Sequence, residues 1–231
     1  MDHIRLSPRL QMVADFVPPC ACAADIGTDH GYLPVWLLQN GVIQSAIAAD
    51  IHAGPLANAR QSAAAYDLEE RFRFVRADGL QFSGAQAADV ITIAGMGGET
   101  ICAILAAAPW LQQGKQLVLQ PQSKVPELTD WLWHNGFTIE DAALCRDAGK
   151  RYLALRVLGQ TAAQTYTVEQ LLLRRRDPLL PEHLKEEIRR QTRARAGMAH
   201  AKQTPTAELA VINAQLSQLQ ACLKEVQTWQ S

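Results

Sequence analysis

The chain has 231 residues, 48% of them apolar, with 22 Lys and Arg against 23 Asp and Glu for a formal net charge of −1. That length accommodates one α/β domain with an appendage, and no run of eighteen apolar residues or signal-peptide core is present, so a soluble, cytoplasmic protein is expected. The five scattered cysteines, Cys20, Cys22, Cys102, Cys145 and Cys222, make no Cys-x-x-Cys pair or His-rich set; they read as reduced packing residues, with no metal site.

In chain order, residues 6–17 predict a short helix, with Ser7 as N-cap, Pro8 at the first helical position, and Leu10, Val13 and Val17 at helical spacing. Arg5 and Arg9 flank its start, where they could meet a substrate phosphate or simply be solvated. The apolar run Val17 to Ala24 predicts a strand, with Pro18 and Pro19 in its first half. Leu33, Val35, Trp36, Leu37 and Leu38, stopped by Asn40-Gly41, predict the next helix. Between strand and helix lies Asp25-Ile26-Gly27-Thr28-Asp29-His30-Gly31-Tyr32. Gly27 and Gly31 let a ligand approach bare backbone, and the helix start aims unpaired N–H groups at it. Asp29 occupies a position where a dinucleotide-binding turn carries no acid near its pyrophosphate. With Asp25, it suits a ligand bearing ammonium or sulfonium charge, which favours S-adenosylmethionine over a nicotinamide dinucleotide. A purely structural turn, with Asp29 capping the helix, is the plain alternative.

Ser45 to Asp50 predicts a second strand, and Asp50, followed by Ile51, stands 25 residues after Asp25. That is about the spacing at which a strand-end carboxylate meets ribose hydroxyls in a doubly wound fold. Pro55 to Ala65 reads as a helix and Phe72 to Arg76 as a third strand. The loop Asp78-Gly79-Leu80 follows, where an acid can accept a hydrogen bond from an adenine amine; Asp-Gly is equally a common turn. Asp89 to Ile93 is a buried strand running into Ala94-Gly95-Met96-Gly97-Gly98, whose three glycines in four positions leave room for a flat group. A helix from Glu99 to Ala108 comes next. A fifth strand, Gln116 to Leu119, ends in Gln120-Pro121-Gln122, and a helix spans Pro126 to Asn135. Two late strands, Phe137 to Cys145 and Tyr152 to Leu158, pair through Arg146-Asp147-Ala148-Gly149-Lys150. Alternating strand–helix units closed by a hairpin are the plan of the class I methyltransferases, a Rossmann-like α/β fold with a doubly wound sheet.

After Gln160 the character changes. Residues 1–160 hold 12 Lys and Arg against 16 Asp and Glu, whereas residues 161–231 hold 10 against 7. The excess sits in Arg174-Arg175-Arg176 and in Arg189, Arg190, Arg193 and Arg195, a hint of an anionic polymer partner or merely a solvated helix face. Pro178 and Pro181 separate helices over about 168–176 and 182–199. From Thr206 to Trp229, Leu209, Ile212, Leu216, Leu219, Leu223 and Val226 step by alternating threes and fours, a coiled-coil seam. Leu184, Ile188 and Met198 of the preceding helix would face it through a hairpin turn at Gln203-Thr204-Pro205. Dimerisation through the seam is the rival reading.

With Asp25-Ile26-Gly27-Thr28-Asp29-His30-Gly31-Tyr32-Leu33-Pro34, Ala94-Gly95-Met96-Gly97-Gly98 and Leu119-Gln120-Pro121, the sequence resembles the bacterial tRNA (adenine(22)-N1)-methyltransferase family, TrmK. The resemblance implies S-adenosylmethionine as donor and tRNA as substrate and partner, in a monomer or weak dimer. It further implies a methyltransferase domain over 1–160 and a helical coiled-coil hairpin over 161–231 for tRNA binding. Carried over by position, Asp25, Gly27, Asp29, His30 and Gly31 belong to the donor turn. Asp50 and Ile51 go to the ribose side, and Asp78, Gly79 and Leu80 to the adenine ring. Gly95, Met96 and Gly97 border the methyl group and target base, and Asp29, Gly95 and Met96 are the catalytic candidates. Arg9, Arg174, Arg175, Arg176, Arg189, Arg190 and Arg193 are the RNA-binding candidates. Departures from the family pattern stand at Gly31 (often alanine), Asp50 (glutamate) and Gln122 (asparagine). Other readings are a methyltransferase of small molecules or proteins with a dimerising coiled coil, a non-catalytic RNA-binding scaffold and, last, a nicotinamide-dependent oxidoreductase.

Overall fold

A computed structural model describes residues 3–199 and 206–230. The chain falls into two compact units, Met1–Thr165 and Tyr166–Ser231. In the first, β1 (Cys20–Ile26), β2 (Ile43–Asp50), β3 (Phe72–Arg76), β4 (Val90–Gly97), β5 (Gln116–Ser123), β6 (Thr138–Asp147) and β7 (Lys150–Leu158) form one sheet. Its order is β3-β2-β1-β4-β5-β7-β6. The first five strands are parallel, and β7 runs antiparallel to both β5 and β6. The reversal of strand order between β1 and β4 creates the crevice in which doubly wound sheets bind ligands.

The parallel strands read as nearly continuous apolar runs because helices cover both faces. On one face, α1 (Pro8–Ala14) and α2 (Tyr32–Gln39) bury Met12, Val13, Leu33, Leu37 and Leu38 against Ile43, Ala46, Val90 and Val118. On β4 and β5, Ile91, Ile93, Leu117 and Leu119 alternate with those residues and are equally buried. There α4 (Gly98–Ala106) packs on both strands and against α5 (Val125–His134), while α3 (Ala53–Ala65) packs on β2 and β3.

Several boundaries differ from the sequence pattern. The first strand begins at Cys20, since Pro18 and Pro19 have no N–H to give to a ladder. The fourth runs through the glycine block to Gly97, because Met96 and Gly97 still pair with Pro121 and Ser123 across a register irregularity. The α1 helix also stops at Ala14, short of Val17.

In the second unit, α6 (Val168–Arg175), α7 (Leu180–Ala199) and α8 (Thr206–Gln227) pack on one another. A capping box opens α6: the Gln170 N–H donates to Thr167 Oγ1 at 3.3 Å and the Thr167 N–H to Gln170 Oε1 at 2.9 Å. Of the stripe on α8, Ile212, Leu216, Leu219 and Val226 are buried, with Leu209 and Leu223 half-buried. Leu184 of α7 is buried and Ile188 and Met198 half-buried. Because α8 meets α6 as well as α7, its apolar stripe serves two helices rather than one. The Gln203-Thr204-Pro205 turn lies outside the described residues.

The seat of α4 depends on a missing side chain. A β-carbon at Gly98 would collide with the Lys124 carbonyl, and Lys124 is itself held at φ 58°. Gly98→Ala must push backbone against backbone, an overpacking cost of about 1–3 kcal/mol. Thermal unfolding should register it as a lower melting temperature, and an unchanged melt would show that α4 can slide.

Candidate active site

The carboxyl ends of β1, β2, β4 and β5 gather the residues that the sequence singled out. The Gly27 and Thr28 N–H groups both donate to the Ala49 carbonyl, at 2.8 and 3.1 Å, fixing the turn after β1 to β2. Gly27 has φ 76° and Gly31 φ 65°, conformations that favour glycine. A β-carbon on Gly27 would strike Cε of Met96, and one on Gly31 would press on Ala59 at 3.0 Å. The turn after β1 and the end of β4 therefore touch at the missing side chain of Gly27.

Asp25 lies beneath that contact, 9% exposed, with Thr92 Oγ1 donating to its Oδ1 at 2.7 Å. Burial pushes its carboxyl above the usual range, against the opposing pull of the Thr92 and Thr28 hydroxyls, and nearby Asp50 adds to the rise. The Thr28 hydroxyl is enclosed and makes no hydrogen bond of good geometry.

Asp29 is not a helix cap. The N-cap of α2 is Gly31, which offers no side-chain bond, and the Asp29 side chain is 75% exposed. His30 Nε2 lies 3.5 Å from Asp29 Oδ2, and the His30 ring stacks on Tyr32 with centroids 5.1 Å apart. Asp50 ends β2 and accepts the His52 N–H at 2.7 Å, which orients its carboxylate. Ile51 is 49% exposed beside it, an apolar side chain turned to solvent at the strand end. Arg76 Nε donates to the Ile51 carbonyl at 3.1 Å and ties β3 to this corner. Asp78 is exposed, Gly79 has φ 56° with Ile104 3.0 Å from where a β-carbon would be, and Leu80 is buried.

Across the crevice, Gly95 has φ 83°; Arg9 Nη1 and Gln122 Nε2 stand 3.5 and 3.6 Å from where its β-carbon would be. Ser123 Oγ occupies the same position relative to Gly97, at 3.2 Å. Arg9 Nη1 donates to Oε1 of Gln120 at 2.8 Å, and its guanidinium lies 5.7 Å from the Tyr152 ring centroid. The wholly buried Gln120 turns its amide back to donate to the Pro121 carbonyl at 2.9 Å. Neither Gln120 nor Tyr152 was singled out from sequence. The available signal was an amide at the end of an otherwise apolar strand.

In the second unit, Arg189, Arg190 and Arg193, with Glu186, line one recess along α7. Arg190 pairs with Glu187, and Arg189 Nε donates to the Lys185 carbonyl at 3.2 Å. Arg174, Arg175 and Arg176 are exposed at the end of α6, with Arg174 over the Tyr166 ring at 4.5 Å. The sequence candidates thus occupy two separate helices of this unit.

A family described as a methyltransferase domain matches residues 6–155. The chain belongs to that family. It is 37% identical over 156 residues to the tRNA (adenine(22)-N(1))-methyltransferase of Bacillus subtilis, covering 67% of this chain and 66% of the relative. The alignment thus spans just under two thirds of that relative's length. The crystal structure of the B. subtilis m1A22 tRNA methyltransferase TrmK superposes with a TM-score of 0.79 at 26% identity, over 96% of this chain and 100% of that one. A Streptococcus pneumoniae protein solved in complex with S-adenosyl-L-methionine gives 0.76 at 31% identity, over 95% and 100% of the two chains. No helix among the described residues is long and apolar enough to cross a membrane.

The raised carboxyl of Asp25 fixes a sign. Its contribution to stability is full at low pH and is lost as pH climbs from the unfolded carboxylate range near about 4 through the folded value. Asp25→Asn keeps an acceptor for Thr92 without the charge. Its melting temperature should rise relative to wild type between about pH 4 and about pH 7. A constant difference across that range would mean that burial does not disfavour the charge.

Proposed function

We infer that this protein is a cytoplasmic, S-adenosylmethionine-dependent methyltransferase that modifies N1 of adenine 22 in tRNA, acting as a monomer or weak dimer. The observation that carries the reading is the similarity to the B. subtilis enzyme TrmK, which extends over 96% of this chain, the helical unit included. The site residues agree with the chemistry. Gly27 and Gly31 hold the left-handed conformations that shape the turn, although Met96 and Ala59 occupy the space at their α-carbons, and Asp29 offers an exposed carboxylate for the donor's ammonium. Asp50, at the end of β2, suits ribose hydroxyls; exposed Ile51 and the Asp78-Gly79-Leu80 loop suit a purine ring.

The bound donor supplies a sulfonium methyl, and adenine N1 brings an in-plane lone pair that needs no base to release it. Alignment is therefore the chain's main contribution. Gly95 and Met96 border the space between donor turn and target base, and acceptors beside the adenine amine stabilise positive charge as it passes to the purine. Because N1 lies on the Watson–Crick edge, the adenine must leave its stack before it can react. The arginines of α6 and α7 hold the tRNA backbone meanwhile, and the helical unit, residues 161–231, serves as the tRNA-binding domain.

Purified protein incubated with unmodified tRNA and donor should yield 1-methyladenine at position 22 alone. Product mapped to another base, or no product with donor bound, would overturn the assignment.

Asp29→Asn separates the remaining roles of that residue, since Asp29 caps no helix. Melting should stay near wild type while methylation falls substantially. A charge-assisted hydrogen bond is worth about 1.5–3 kcal/mol, roughly a ten- to hundredfold loss. Donor affinity that falls in parallel assigns Asp29 to the ammonium; turnover falling alone assigns it to the adenine amine. Wild-type activity would remove Asp29 from the site.

A further inference from the structure

We propose that the tip of the β6–β7 hairpin, with Arg9 braced beneath it, is a second contact surface for the RNA backbone, carried by the methyltransferase unit itself. The proposal rests on the tRNA substrate inferred above and adds residues that the helical unit does not supply.

Topology brings the tip to the site. β7 runs antiparallel to β5 with Leu119 opposite Leu155 and Gln116 opposite Leu158. The start of β7 therefore lies beyond the carboxyl end of β5, where Pro121 and Ser123 pair with Met96 and Gly97. Arg146, Lys150 and Arg151 consequently stand at the end of the sheet that holds the donor turn.

The tip is also stiff. Asp147 pairs with Lys150, and the two residues between them, Ala148 at φ 47° and Gly149 at φ 77°, are both left-handed. A two-residue loop of that kind is the tight turn that matches the twist of a hairpin. It is an uncommon place for alanine, whose β-carbon disfavours a left-handed backbone that glycine or asparagine adopts more readily.

Charge then identifies the partner. Arg146 and Arg151 are direct cross-strand partners, an arrangement that sets two guanidiniums on one face of the ladder. Lys150 falls on the opposite face by strand alternation, the face whose Tyr152 ring lies near the Arg9 guanidinium. Arg146 and Lys150 are exposed. The acid in the turn, Asp147, already accepts the Arg9 backbone N–H at 3.3 Å. Arg9 is held by the buried Gln120 amide, so its guanidinium is fixed beside Gly95 and Gln122 rather than carried on a flexible arm.

These cations lie in a segment, residues 1–160, with 12 Lys and Arg against 16 Asp and Glu. Their concentration at the crevice end runs against that balance. Fixed guanidiniums match phosphate oxygens geometrically, and phosphate contacts set register without reading bases. An adenine drawn out of its stack needs the strand on either side of it restrained. Arg9 is placed to restrain the strand next to the base, and the tip to meet the strand further out.

The test uses the full chain carrying Arg146→Ala and Lys150→Ala together, with Lys150→Ala alone as a milder companion. Donor affinity and melting temperature should match wild type, because Arg146 and Lys150 are exposed and β4 and β5 stand between the hairpin and β1 in the sheet. Affinity for unmodified tRNA should fall about tenfold at low salt in the double variant. The slope of log affinity against log salt should lessen by about 0.7–0.9 for each phosphate that the variant no longer neutralises. Unchanged tRNA affinity and salt slope in either folded variant would overturn the proposal. Wild-type methylation of the same tRNA, mapped in parallel, keeps the two questions apart: its failure would condemn the substrate assignment rather than the hairpin.

Discussion

The turn after β1 and the strand-end glycine block meet at Gly27, where the lack of a β-carbon leaves room for Met96. Met96 Cε fills that space, so a β-carbon at Gly27 would displace the end of the Met96 side chain. Around it the chain repeats the device: Gly31 admits Ala59 of α3, and Gly98 admits the Lys124 carbonyl. Gly98 meets main chain alone, Gly31 meets the α- and β-carbons of Ala59, and Gly27 meets the end of the Met96 side chain. The cost falls on the unfolded state's entropy, since glycine has more freedom to lose on folding.

Electrostatics follows the same geometry. Asp25 is buried where its charge is disfavoured, held by Thr92 and close to Asp50. Asp29, four residues later, is largely solvated. One acid thus supports the turn from beneath and the other faces outward from it, although the sequence presents them as a matched pair. Burial accounts for the difference: Asp25 belongs to the last paired stretch of β1, whereas Asp29 lies beyond any ladder.

Most of the α/β plan was legible because local pattern and tertiary demand agree. Strands buried on both faces must be continuously apolar, and the helices between them carry their own stop signals at Asn40-Gly41 and Asn135-Gly136. Less legible was anything set by distant pairing. The extension of β4 through its glycines needs Pro121 and Ser123 of β5 as partners, and no local propensity favours Gly-Met-Gly in a strand. The Arg9–Gln120 bond joins residues 111 apart, and the braced cation beside Gly95 could not be read from either residue alone. The cap assigned to Asp29 as an alternative failed for a local reason: the helix starts two residues later, on a left-handed glycine.

The distribution of charge over the chain has a physical logic of its own. A sulfonium donor calls for carboxylates in the crevice, while an RNA strand approaching the same crevice is repelled by them. Over a Debye length of about 8–10 Å, acids and phosphates in one cleft would oppose each other appreciably. In the proposed function, acids at the floor and turn of the crevice serve the donor, and clustered arginines carried on other elements serve the polymer. One set lies on the exposed helices of the second unit, and another at the hairpin end beyond β5. On that proposal, affinity for the polymer comes from cations outside the turn after β1, and the turn keeps the negative character that a sulfonium ligand favours. On the proposed function, a nearly neutral chain, at a net −1, serves partners of opposite charge by giving each a cluster of its own.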